Sequence, residues 1–289
     1  MSLVRPTSLA LVAIALCSTP AWAGPFAFST GNVDGRIAVA SRPASAGKIE
    51  TEAADDFILD SAMSLTKASF TGLLVGGATL ADIGAVDLEI YRVFPKDSVN
   101  PPSGNVPTRV NSPSDIAFDT RSSAAAQLSF ATVVLSPTFT AANSVLNGIN
   151  KVPNQTTGGE GPVTGIEVRF DIDLSTAMVL AADHYFFIPQ VEVSGGEFLW
   201  LSAPKPIVAP GTPFTPDLQS WIRDAGLDPD WLRIGTDIVG GAPAPTFNAA
   251  FSLAGETVPS VPEPASYALM MLGLAALGTA ARTRRLRAV

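Results

Sequence analysis

Nine consecutive residues, Ile166-Glu167-Val168-Arg169-Phe170-Asp171-Ile172-Asp173-Leu174, alternate apolar and charged side chains without a break. Successive side chains of an extended chain point to opposite faces, so the run puts five apolar groups on one side and four charges on the other. A helix would scatter both sets around its axis. The segment is therefore a strand with one buried and one wet face. Thr246 to Leu253 repeats the device, with Phe247, Ala249, Phe251 and Leu253 on the inner side.

Further strands are expected over Ala54 to Leu59, Leu65 to Val75, Val86 to Phe94, Gln127 to Leu135, Tyr185 to Val193, Glu197 to Leu201 and Leu232 to Ile238. Val193-Ser194-Gly195-Gly196-Glu197 reads as a hairpin turn, because paired glycines supply the positive φ such turns need. Helix signals are short. Pro216 to Arg223 sets Leu218, Trp221 and Ile222 at i, i+3 and i+4 and stops at Gly226, and Ala141 to Ile149 is a weaker second. Helices do not alternate with strands, which disfavours a parallel βαβ sheet. No repeat of 20–50 residues is visible, which disfavours a propeller or solenoid. Three polar stretches, Pro95 to Ser123, Lys151 to Pro162 and Ala203 to Pro216, read as long loops. The expected fold is all-β: a single antiparallel β-sandwich, jelly-roll-like, with one or two short helices, over residues 24–254.

Both ends of the chain read as processing signals. Arg5, the apolar run Leu9 to Leu16, Pro20 and the small-x-small site Ala21-Trp22-Ala23 before Gly24 form a signal peptide over residues 1–23, cleaved by signal peptidase. Leu16 stands before Cys17 where a lipid-attachment site needs a small residue, which argues against acylation. At the other end a linker, Gly255 to Val261, leads to Pro262-Glu263-Pro264, the apolar run Ala265 to Ala281, and Arg282, Arg284, Arg285 and Arg287. As a helix, those seventeen residues extend about 25 Å at ~1.5 Å each, enough for a thin or compressed bilayer. The arginines stop the span and hold its end on the cytoplasmic side, which leaves everything before Pro262 outside.

This tail, residues 262–289, resembles the PEP-CTERM sorting domain of Gram-negative bacteria: Pro262, Glu263 and Pro264 carry the motif, residues 265–281 the transmembrane helix, and Arg282 to Arg287 the basic end. The resemblance implies processing by an exosortase, a membrane protease-transpeptidase associated with exopolysaccharide production and biofilms. It implies transient anchoring in the inner membrane, then release to the surface or beyond.

Between the signals, Gly24 to Val261 holds thirteen Lys and Arg against twenty-five Asp and Glu, a net charge of −12. Nucleic acid is excluded as a partner, since phosphate backbones bind clustered cations and here they are scattered and outnumbered. Acidic polysaccharide would be repelled unless divalent cations bridge the two. Removing Cys17 leaves no cysteine, so stability rests on the core and not on disulfides.

The inventory for chemistry is thin. With no cysteine, a single histidine, His184, and no Gly-x-Ser-x-Gly elbow, nucleophilic catalysis is disfavoured. His184, just before Tyr185-Phe186-Phe187-Ile188, reads as the start of a strand. One imidazole cannot build a multi-histidine metal site, so a metal would have to be held by oxygen alone, as calcium is. Asp55 with Asp56, and Asp228 with Asp230 around Pro229, are the candidate ligands, with capping and turn roles as the plainer reading; Asp171 and Asp173 read as a solvated face. Glycoside hydrolysis would need two carboxylates facing each other about 5–9 Å apart, which spacing in sequence cannot show. For sugar binding the candidate stacking surfaces are Trp200, Trp221 and Trp231, unless they are core residues. No catalytic residue is assigned and no cofactor is expected, calcium excepted. The expectation is an exported, non-catalytic surface or matrix protein. A calcium-assisted, lectin-like carbohydrate-binding module is the alternative, and a glycan-cleaving enzyme, acting on extracellular polysaccharide, the third reading.

Overall fold

A computed structural model describes residues 24–259 except 46, 102–103, 150–151, 153–154 and 208–216, together with Leu272, Gly273 and Ala275. The processing sites at Ala21 and Ala23, the motif Pro262-Glu263-Pro264 and the four terminal arginines lie outside the described residues. So does most of the expected span. Among the described residues no helix is long and apolar enough to cross a membrane.

Residues Gly24–Val258 form one compact unit. The strands are β1 (Pro25–Ser29), β2 (Ile37–Ala40), β3 (Thr51–Leu59), β4 (Met63–Val75), β5 (Ile83–Arg92), β6 (Asp119–Ser122), β7 (Leu128–Ala141), β8 (Asn143–Val145), β9 (Val163–Leu180), β10 (Asp183–Val193), β11 (Glu197–Ala203), β12 (Trp221–Asp224), β13 (Leu232–Arg233), β14 (Asn248–Ala249) and β15 (Phe251–Thr257). They make two sheets. In the first, β7 pairs with β9 and β9 with β4; the far side of β4 is shared by β15, which carries β1, and β11, which carries β14, β2 and β8. The second runs β13-β12-β3-β10-β5-β6. All pairings are antiparallel except the parallel contact of β2 with β8.

The main core lies between the sheets. Phe70, Phe170, Phe198 and Trp200 come from the first sheet, and Phe57, Tyr185, Phe187, Val86 and Leu88 from the second. Phe70 and Phe170 face each other across β4 and β9 and stack at 4.8 Å. The alternation in β9 is realised as expected, with Val168, Phe170 and Ile172 buried and Asp173 exposed. Glu167 is the exception on its wet face, at 7% exposure.

Several expectations are corrected; the expected strand Leu232 to Ile238, for one, is only Leu232–Arg233, followed by a π-helical turn over Ile234–Val239. Residues of the expected helix Pro216 to Arg223 form no helix where they are described. Trp221 and Ile222 begin β12, whose two faces are both covered, so apolar residues fall next to one another instead of alternating. The expected helix Ala141 to Ile149 is instead the end of β7 and the short β8. The glycine turn after Val193 joins no hairpin: β10 belongs to the second sheet and β11 to the first, so this turn carries the chain across the core. Gly196 has φ +143°, and a Cβ there would stand 2.2 Å from the Val75 carbonyl oxygen. The expected linker also starts later, since Gly255 to Thr257 are the last residues of β15.

Candidate functional site

The outer face of the second sheet carries the densest polar chemistry. Glu52 on β3, Glu89 and Tyr91 on β5 and Arg223 on β12 converge on this face, with Glu52 and Arg223 opposite each other in register. Arg223 ion-pairs with Glu52 through Nε, donates from Nη2 to Glu52 Oε1 at 3.1 Å and to the Tyr91 hydroxyl at 2.9 Å, and lies 4.3 Å over the Trp231 ring. Tyr91 donates to Glu52 Oε1 at 2.8 Å. Asp228 reaches Arg223 Nη1 at 2.8 Å from the rim. With Glu50 these groups line a cleft of about 280 Å³.

Burial, and then the neighbouring charge of Glu52, push the Glu89 carboxyl up to about 8. Near neutral pH Glu89 therefore favours its protonated form beside Glu52, and it accepts from the Tyr91 hydroxyl at 3.3 Å. Burial works against the charge on Arg223, but Glu52, Tyr91 and Asp228 outweigh it and raise the guanidinium above its ordinary value. Chemically the cluster can store a proton beside a fixed ion pair.

The residues singled out from the sequence are dispersed. Asp55 and Asp56 lie inside β3, not at its start, and point to opposite sides. Asp55 accepts from Ser220 Oγ at 2.8 Å and from the Ala249 amide at 2.9 Å, tying the second sheet to β14 of the first. Burial, then the charge of Asp56, raises its carboxyl well above the usual range. Asp56 faces outward, 2.7 Å from His184 Nε2, and accepts the Leu218 amide at 2.9 Å. Asp228 is half exposed, whereas Asp230 is fully buried against Arg109, which also pairs with Asp115. The two aspartates around Pro229 thus belong to different clusters. Among the described residues no group of three or more His, Cys, Asp or Glu could hold a metal ion.

All three candidate tryptophans are core residues, at 1%, 2% and 0% exposure for Trp200, Trp221 and Trp231, so none offers a ring face to a sugar. Trp200 donates to the Ala250 carbonyl and Trp231 to that of Ser114. Trp221 borders a cleft of about 330 Å³ with Thr108, Asn111, Gln219 and Arg233, and its indole nitrogen is buried without a partner.

Sequence reasoning passed over Glu52, Glu89, Tyr91 and Arg223. Half the signal was present. In Val86-Asp87-Leu88-Glu89-Ile90-Tyr91 the alternation puts Glu89 and Tyr91 on one face. Nothing local, however, announces that Arg223, 171 positions after Glu52, comes to meet them.

Fold and site together define an all-β, two-sheet domain with a closed polar network on one outer face, followed in the sequence by a sorting label. That label is identified by comparison: residues 260–285 match the PEP-CTERM protein-sorting motif. The chain carries an exosortase sorting signal and is an exported protein. No curated protein and no solved structure matches it.

Proposed function

We propose that this is a surface or matrix protein, delivered by an exosortase, whose β-domain is displayed and not catalytic. The observation that carries the reading is a coincidence of boundaries. The compact unit begins at Gly24, the residue after the expected signal peptidase site, and ends at Val258, just before the matched motif at 260. The closed polar cluster supports a non-catalytic domain, since its carboxylates are engaged with Arg223 and Tyr91. Membrane insertion through residues 265–281, retention by the terminal arginines, and a place among exopolysaccharide and biofilm components follow from the resemblance of the tail.

A soluble reporter carrying Val261 to Val289, expressed with and without the cognate exosortase, tests this. The unmodified reporter is cleaved only with the enzyme. Glu263→Ala leaves the apolar run whole, so that reporter inserts but accumulates uncut. Cleavage of the variant at the unmodified rate, or an unmodified reporter left intact beside active enzyme, would replace sorting with simple anchoring.

The second reading is a carbohydrate-binding module, favoured by the cleft beside Trp221, where an unpaired buried donor adjoins hydroxyl and amide groups. A glycan array with and without chelator tests it. Saturable binding weakened by Trp221→Phe supports the module, additional loss with chelator supports a calcium-assisted one, and a blank array removes it.

A further inference from the structure

Glu167 is the one residue on the outer face of β9 that is buried, and among the described residues its carboxylate has neither a hydrogen bond nor an ion pair. Burial alone, with no neighbouring donor or charge to offset it, raises this carboxyl above its usual range. Its oxygens are not sealed in, however. They border a cleft of about 290 Å³ on the outer side of the first sheet. The floor of that cleft is built by strand register. Ser29, Ser252, Ser69 and Asp171 stand in one row across β1, β15, β4 and β9, and Thr71 lies opposite Arg169. The hydroxyls of Ser69 and Ser252 meet at 2.6 Å. Asp171 accepts from Arg169 Nε at 2.9 Å and Nη2 at 3.0 Å, which fixes the guanidinium and leaves Nη1 without a hydrogen bond among the described residues. Val33 and Leu135 supply aliphatic wall. A second cleft, of about 330 Å³ and bordered by Lys67 and Asp173, shares Ser69 and Ser252 with the first, so the two run together over the sheet.

We infer that this groove binds a neutral saccharide chain, with Glu167 accepting from its hydroxyls. A buried carboxylate without a partner is costly, and a donor on a ligand offsets that cost. The neighbours of Glu167 decide which donor fits. A bare cation would meet the guanidinium of Arg169, two positions along the same face and roughly 7 Å away by strand rise. An anion would meet Glu167 itself, on a domain whose net charge is −12 between Gly24 and Val261. A hydroxyl escapes both objections, because it donates to a carboxylate and accepts from a guanidinium or another hydroxyl at the same time. Adjacent hydroxyls on a pyranose ring present that pair again and again. Phe70 and Phe251 also border the cleft but are turned into the core, so no aromatic face stacks on the sugar and each unit is held weakly. Affinity then grows with the number of linked units that lie along the joined clefts. This groove is on the first sheet, apart from the cleft beside Trp221 on the second, and it gives the displayed domain a ligand whatever the route of delivery.

The test is an array of neutral glucan, mannan and galactan oligosaccharides of increasing length, beside uronic-acid oligosaccharides, probed with the exported, processed protein with and without chelator. At least one neutral series is bound, more tightly as the chain lengthens and equally well in chelator. Titration with the best neutral oligosaccharide then shows Glu167→Ala weakening binding at least about tenfold, the loss expected for a hydrogen bond to a charged group. Glu167→Gln, which keeps the volume without the charge, weakens it in the same direction. Neither variant lowers the melting temperature, since the carboxylate it removes has no partner in the fold, and that separates lost binding from lost structure. No binding to any neutral series overturns the proposal, while cleavage of the tail reporter decides delivery separately. Binding confined to uronic-acid chains, or abolished by chelator, overturns it too. So does neutral-saccharide binding that ignores both Glu167 variants, and if Trp221→Phe alone weakens it, the saccharide site is the cleft on the second sheet instead.

Discussion

Glu89 illustrates how far burial can carry one side chain from its ordinary behaviour. Its carboxyl moves from 4.5 to about 8, so the folded protein holds this proton more tightly than the unfolded chain does. By linkage its contribution to stability is complete below the unfolded value and is lost as pH rises through 8. Asp55, raised by burial within the core, pulls the same way. Thermal melts between about pH 5 and 9 therefore show stability falling with pH, and Glu89→Gln, which keeps the donor without the charge, flattens that slope. An unchanged slope in the variant would assign the pH dependence elsewhere. Removing Glu52 strands Arg223 in a buried site, and Glu52→Ala is expected to cost about 3–5 kcal/mol in denaturant unfolding. The two sides of β9 give a sharper contrast. Phe170→Asp sets an unpaired carboxylate against Phe70 and Phe198 and costs several kcal/mol. Asp171→Asn loses only a half-exposed contact with Arg169 and stays within about 0.5 kcal/mol. Equal tolerance would invert the assignment of faces. The β9 faces were legible because the information is local. Roles for Asp55 and Asp56 were not, since their partners Ser220, Ala249, His184 and Leu218 lie more than a hundred positions away and meet them only in the finished fold.

Among elements, long strands were read correctly whether one face is wet, as in β9, or both are covered, as in β10 and β11, and the short β12 was not. β4, β5, β7, β9, β10 and β11 appear where alternation or apolar runs put them, with shifted ends. β12 was mistaken for a helix because Trp221 packs in the outer cluster and Ile222 in the main core, which erases the two-residue period and leaves a helix-like spacing. The turn after Val193 shows another limit. Its glycines announce a reversal but cannot say whether the next strand pairs with the last or joins the opposite sheet. Here the Val75 carbonyl comes so close to Gly196 that no side chain fits. Gly196→Ala is therefore predicted to destabilise by more than about 1 kcal/mol, lowering the melting temperature by a few degrees. A melting temperature at or above that of the unmodified protein would show that the turn can open without loss.

For the whole molecule, the outline was legible from its ends inward. The all-β class and the position of the sorting motif follow from periodicity and from a short ordered signature. Strand order does not, because pairing partners are chosen by three-dimensional closure. β1 packs against β15, and Phe28 is buried at 5.2 Å from Phe251. Amino-terminal sequencing of the exported protein is expected to start at Gly24, whose amide meets Thr257 Oγ1 at 2.6 Å. A start beyond Ser29 would remove β1 and Phe28, and with them one wall of the core.

That pairing of first strand with last has a consequence in time. β1 and β15 are neighbours, yet Gly24 and Thr257 are separated by 233 positions of chain. A polypeptide threaded amino end first delivers β1 early and leaves it waiting, with the place between it and β4 unfilled until the final strand arrives. Only when Thr257 has passed through can β15 slip between β1 and β4, and the sorting motif follows almost at once, at residue 260. The last strand of the fold and the address are thus neighbours along the chain: β15 ends at Thr257 and the matched motif begins at residue 260, so any route that delivers the amino end first completes the sheet only as the label emerges.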